Sequence, residues 1–141
     1  SWDDENYYLV GYDAEAEKIK HYRVDKMLHI KLSDENREGK EYFKKLDMAD
    51  YAKKSFGMYG GKEQKVKLWV KNDLAGVIID RFGKDIMIVP KGKDCSTVFV
   101  SVTVSQQFFG WVFGLGKEVC ILSPPHVVNQ MKQALTDALE G

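Results

Sequence analysis

Cysteine and proline are both scarce in these 141 residues, and no long apolar run or overall charge is present. The two cysteines, Cys95 and Cys120, lie in apolar β-like runs without C-x-x-C spacing. That excludes a disulfide scaffold and a zinc ribbon, and points to free thiols in a reducing cytoplasm. Three prolines, two of them adjacent at Pro124-Pro125, exclude a proline-rich linker. No stretch approaches the ~20 apolar residues of a membrane span, and the acidic start is unlike a signal peptide, so a cytoplasmic protein with no membrane contact is expected. Lys plus Arg and Asp plus Glu both number 21, which removes any global field toward nucleic acid. The balance hides a split. Residues 1–17 carry six acids and no base, whereas residues 18–71 carry 15 bases and eight acids.

Catalytic signatures are missing as well: there is no P-loop, nucleophile elbow or H-E-x-x-H. His29 and His126 lack partners at metal-ligand spacing, so neither metal nor cofactor is expected, and no enzyme activity. Gly114-Leu115-Gly116 ends a helical pattern instead of opening one, unlike a dinucleotide fingerprint.

What is present is a change of period along the chain. Tyr7 to Tyr12, Ile19 to Val24 and Met27 to Leu32 are β-prone and separated by polar turns, which predicts a strand meander. A helical period follows, with Tyr42, Leu46 and Ala49 on one face, ending near Phe56. Gly57-Met58-Tyr59-Gly60-Gly61 resists both states and sets a linker over 57–63 between a module at 1–56 and one at 64–141. In the second module, Lys65 to Lys71 alternates with Val66, Leu68 and Val70 inward. Leu74, Ile78 and Phe82 then recur at helical spacing, with Asn72 or Asp73 as cap and Gly83 as stop. Ile86 to Val89 and Thr97 to Val104 read as strands, and Ser105 caps a helix bearing Phe108, Phe109, Val112 and Phe113. Val119 to Leu122 is a fourth strand. Ser123-Pro124-Pro125 starts a last helix, whose Val128, Met131, Leu135 and Leu139 share a side. The order β-α-β-β-α-β plus a helix is that of a ferredoxin-like module, so the class is α+β.

Tyr7-Tyr8-Leu9-Val10-Gly11-Tyr12, followed by Lys20-His21-Tyr22-Arg23-Val24-Asp25-Lys26-Met27, resembles the WYL domain. Its signature is an aromatic-Tyr-Leu strand, a turn, and then Arg-x-Phe-Arg-x-Asp-Arg-Ile. Tyr7 stands for Trp, Lys20 and Lys26 for Arg, Tyr22 for Phe, and Met27 for Ile. Residues 64–141 look like the C-terminal extension that follows many WYL domains. The resemblance implies a partial Sm-like or SH3-like β-barrel in the first module, whose upstream strands and DNA-binding head are absent. It also implies the effector-sensing and oligomerising region of a bacterial transcriptional regulator, reaching DNA through that missing head, with the effector in some members a single-stranded nucleic acid.

On that reading the basic strand face binds an anionic effector, a nucleic acid or a nucleotide. Arg23 forks onto phosphate, and Tyr8, Tyr12 or Tyr22 stacks a base. Alternation sets His21 and Arg23 on one face and Lys20 and Tyr22 on the other, with Lys26 beyond them. The His21 and Arg23 face is the favoured one, Asp25 orienting a basic neighbour. Lys40, Lys44, Lys45, Lys53 and Lys54 either widen the patch or are simply solvated. Trp69, turned outward by alternation, and Trp111 are candidate contacts of a homodimer. Two other readings stay open: a purely structural dimerisation module, and a ferredoxin-like domain that binds a small metabolite.

Overall fold

The computed structural model describes residues 1–3, 5–44, 46–56 and 62–141, which form two compact units, Ser1–Ala52 and Lys53–Gly141. Most of the 57–63 linker lies outside the described residues. Phe56, just before it, is buried in the second unit against Phe82, Phe108 and Trp111, with ring centroids 5.5–6.1 Å apart.

In the first unit β1 (Trp2–Asp3), β2 (Asn6–Asp13) and β3 (Lys18–Arg23) form an antiparallel sheet in the order β1-β2-β3. The β2–β3 turn closes locally: Asp13 Oδ1 accepts the backbone N–H groups of Glu15 and Ala16, each at 3.0 Å. After β3 the chain departs from the expected meander. Val24–Lys26 is a single 3₁₀ turn, and Met27 to Leu32 is no strand. Leu28, Ile30 and Leu32 alternate as a strand would, yet all three are strongly exposed. Alternation is half of what a strand requires; without a neighbouring ladder the backbone groups gain nothing from extension. The single helix expected over 40–56 is two: α1 (Lys40–Phe43) and α2 (Met48–Lys54). Asp47 divides them, its Oδ1 accepting the N–H groups of Ala49 and Asp50 at 2.9 and 3.1 Å. A carboxylate in that role starts a new helix.

The second unit runs β4 (Glu63–Lys71), α3 (Ala75–Phe82), β5 (Met87–Lys91), β6 (Cys95–Thr103), α4 (Gln106–Gly114), β7 (Val119–Ser123) and α5 (Pro125–Glu140), with 3₁₀ turns ahead of α3 and β7. All strand pairs are antiparallel in the order β5-β6-β4-β7. Val66 and Leu68 of β4 lie opposite Val100 and Val98 of β6, Val70 and Val102 extend the same face, and all six are fully or almost fully buried. Ile78 of α3, Phe108 and Val112 of α4, and Val127 of α5 join that core.

The caps follow the sequence in part. Ser105 Oγ accepts the Phe108 N–H at 3.2 Å, and Gly83, at φ +92°, donates its N–H to Ile79. Asn72 does not cap α3; its side chain accepts from Ser96 Oγ and donates to the Lys93 carbonyl. Ser123 stays in β7, and α5 begins with Pro125 at its first position, without a side-chain cap.

Candidate anion-binding face

The register of β2 and β3 decides which side chains meet. Tyr8 lies opposite Arg23, Val10 opposite His21, and Tyr12 opposite Ile19, so these six share one face. Gly11 opposite Lys20 and Leu9 opposite Tyr22 share the other. The sheet therefore brings Tyr8, Tyr12, His21 and Arg23 together and turns Lys20 and Tyr22 away. Lys26 is exposed in the 3₁₀ turn after β3.

His21 is held from two sides. Its Nδ1 lies 3.0 Å from Tyr51 Oη, and its ring meets that of Tyr8 edge-on at 6.3 Å. Burial pushes the imidazole below its ordinary value of 6.5 and pushes the Tyr51 phenol up. A neutral, hydrogen-bonded His21 is a poor anion ligand but a good strut between β3 and α2. Arg23 remains at the surface, clasped by Asp25 through two bonds, Nε to Oδ1 at 3.0 Å and Nη2 to Oδ2 at 2.8 Å. The guanidinium beside it holds the Asp25 carboxyl below the usual carboxylate range. Asp25 thus orients Arg23 and occupies its fork, and an incoming phosphate competes with that carboxylate.

On the opposite face Lys20 Nζ contacts Asp13 Oδ2 at 2.5 Å, and Tyr22 Oη donates to the same oxygen at 3.4 Å. The lysine bond, with the Ala16 and Glu15 amides, lowers Asp13 to about 2, and the Asp13 bond in turn raises Lys20. These two candidates are spoken for by the turn they stabilise.

A cavity of about 630 Å³ opens beside β2, lined by Tyr8, Val10 and Tyr12 on the strand, by Arg37, Glu38, Lys40 and Phe43 around α1, and by Met48 of α2. The rings of Tyr12 and Tyr42 stack at 3.9 Å with 7° between their planes, and a side-chain hydrogen bond with Tyr42 raises Tyr12 to about 12. Gly39, at φ +73°, brings the Arg37–Lys40 segment onto Tyr12: a Cβ there would lie 2.8 Å from Tyr12 Cβ. Arg37, Phe43 and Met48 escaped sequence reasoning. Arg37 sits in an irregular segment with no period to read, and nothing local predicts its approach to β2. Among the described residues no cluster of three His, Cys, Asp or Glu side chains is placed to hold a metal.

Trp111, a candidate for a subunit contact, packs edge-on against Phe82 at 5.5 Å within the second unit. Trp69 is half-buried on the sheet face away from the core.

The family model of the WCX domain matches residues 62–139. The chain belongs to the WCX family. WCX domains are the C-terminal extension of WYL-type transcriptional regulators, so the match covers the second unit's sheet and helices and agrees with the motif resemblance in residues 7–27. Among solved structures the chain is similar to Proteasome accessory factor B/C (PafBC) of Arthrobacter aurescens, at 12% identity and a TM-score of 0.42, over 89% of this chain and 19% of that one. No curated protein gives a significant match. Among the described residues no helix of this WCX-family chain is long and apolar enough to cross a membrane.

Proposed function

We propose that this chain is the effector-sensing region of a WYL-type transcriptional regulator, binding an anionic ligand against β2 in the first unit. The observation that carries the reading is the cavity beside β2. Its aromatic wall of Tyr8, Tyr12 and Phe43 and its cations Arg37 and Lys40 suit a ligand with a flat ring and a phosphate, and its volume is that of a small-molecule site. Arg23, cross-strand from Tyr8, extends the cationic face. His21 positions the strand and does not touch the ligand. We also read the first unit as part of an SH3-like barrel, supported by its antiparallel meander, and the second as ferredoxin-like, supported by its β-α-β-β-α-β order and the strand order β5-β6-β4-β7.

Thermal unfolding of the full chain with a panel of nucleotides and short oligonucleotides tests the proposal. A ligand that prefers the native state raises Tm, by about 2.7 kcal/mol of stabilisation at a hundredfold excess over Kd. The reading expects such a rise, and its loss in Lys40→Ala. A panel without effect, or one whose effect survives Arg37→Ala and Lys40→Ala together, contradicts it.

A further inference from the structure

The helices of the second unit contribute Ile78, Phe108, Val112 and Val127 to a core on one face of the four-stranded sheet. The other face carries Trp69 on β4, Phe99 on β6, and Met87 and Val89 on β5. Register brings them together, Met87 opposite Phe99, and Val89 and Trp69 both opposite Thr97. Met87 is 62% exposed, Phe99 40% and Val89 38%, values unusual for neighbouring apolar side chains on one sheet. Charge frames them. Lys65, Lys67 and Lys71 alternate along β4 on this face, and Lys91 ends β5 on it. The acids on the face are engaged: Glu63 accepts from Lys54 at 2.9 Å and from Ser101 at 3.2 Å, and Glu118 lies 3.7 Å from Lys71.

We infer that this face docks an amphipathic helix of a partner protein, with an apolar stripe on the Met87–Phe99–Trp69 shelf and acidic side chains along its flanks against the lysines. Each alternative occupant meets an obstacle on the same surface. A second copy, the occupant that Trp69 suggests, pairs isologously and brings two lysine-bearing faces together, where like charges oppose contact. A single-stranded nucleic acid matches the lysines but makes no use of Met87 and Val89, and Lys67 Nζ already stands 5.7 Å from the centroid of the Phe99 ring. An acidic helix uses both the aliphatic shelf and the cationic frame, in the groove-binding mode of amphipathic helices.

Nuclear magnetic resonance titration of the ¹⁵N-labelled full chain decides between these occupants. Three probes are used: a synthetic helical peptide of ~18 residues with a leucine stripe flanked by glutamates, its lysine-flanked counterpart, and an oligothymidylate of about 15 nucleotides. The acidic peptide is expected to shift amides of β4, β5 and β6 with a Kd in the ~10 μM range. The exposed variant Met87→Glu weakens it at least tenfold. Lys65→Glu with Lys67→Glu does the same and transfers binding to the lysine-flanked peptide. Four results overturn the proposal: no shift at ~1 mM acidic peptide, equal binding of both peptides, oligothymidylate shifting these same amides, or self-association of the free chain that Met87→Glu abolishes.

Discussion

At the scale of single residues, the first unit depends on a few contacts made by side chains that are also candidates for ligand binding. His21 is the clearest. Its folded pKa lies below 6.5 because it is partly buried, so between the two values the unfolded chain binds more protons than the folded one. Its contribution is complete above pH 6.5 and is lost as pH falls through the depressed value. Protection of the β2 and β3 amides, measured as exchange relative to the intrinsic rate at each pH, is therefore expected to fall from pH 7.5 to 5.5, and His21→Phe to remove that fall. Tyr51→Phe deletes the 3.0 Å bond to Nδ1 and is expected to destabilise the unit by about 1 kcal/mol in denaturant titration. Gly39→Ala combines a left-handed backbone with a contact on Tyr12 Cβ, which has no flexible end to swing away. It is expected to cost about 1–3 kcal/mol and to disturb the cavity wall, an effect read from loss of the Tyr12–Tyr42 ring-current shifts. Asp13→Asn removes the Lys20 pair at a half-exposed, solvent-screened site and is expected to leave the denaturant midpoint almost unchanged.

At the scale of elements, legibility in the sequence tracks how local the cause is. Lys65 to Lys71 was readable because one face of β4 is buried and the other is not, so period two is written directly into Val66, Leu68 and Val70. Ser105 and Gly83 were readable because a hydroxyl cap and a positive-φ stop are chosen by their immediate neighbours. The break between α1 and α2 was missed although Asp47 was its signal: a carboxylate two and three residues ahead of the amides it bonds looks like any solvated acid until the helix is cut there. Asp47→Ala is expected to cost about 1 kcal/mol and to lower the helicity of residues 48–54, measured by carbon chemical shifts. In α5 the stripe that packs on the core is Val127, buried, with Met131 and Ala134 half-buried, while Leu139 of the expected stripe is 89% exposed. One residue of phase separates the two, and only the sheet beneath fixes it. Met27 to Leu32 fails for the converse reason, since its strand pattern has no ladder to join among the described residues. Of the candidate site, the sharing of a face by His21 and Arg23 was legible from alternation. The approach of Arg37 and Phe43 to β2 was not, because it depends on a long irregular segment anchored at Gly39.

At the scale of the whole molecule, the two units differ in how they are held. Every fully buried hydrophobic side chain among the described residues, from Phe56 to Val127, belongs to the second unit. The first has none, and displays Trp2, Tyr7 and Leu9 at 54–68% exposure. A unit with a dry core resists opening, and one without it opens locally at little cost. Amides of β4 and β6 are thus expected to exchange slowest and those of β2 and β3 far faster. Leu68→Ala, at a site with no exposure, is expected to cost about 2–5 kcal/mol. Under the proposed function, a ligand that orders the first unit stabilises it by mass action, so that unit is where ligand-dependent protection is expected.

The most direct test of the anionic-effector account is calorimetric titration of the full chain with an oligothymidylate and with a nucleoside triphosphate at two salt concentrations. The account predicts that at least one of them binds, that affinity falls as salt rises with a slope of roughly 0.7 per phosphate neutralised for a single strand, and that Arg37→Ala with Lys40→Ala abolishes it. Absence of binding by both, or binding indifferent to salt and to those two substitutions, would contradict it.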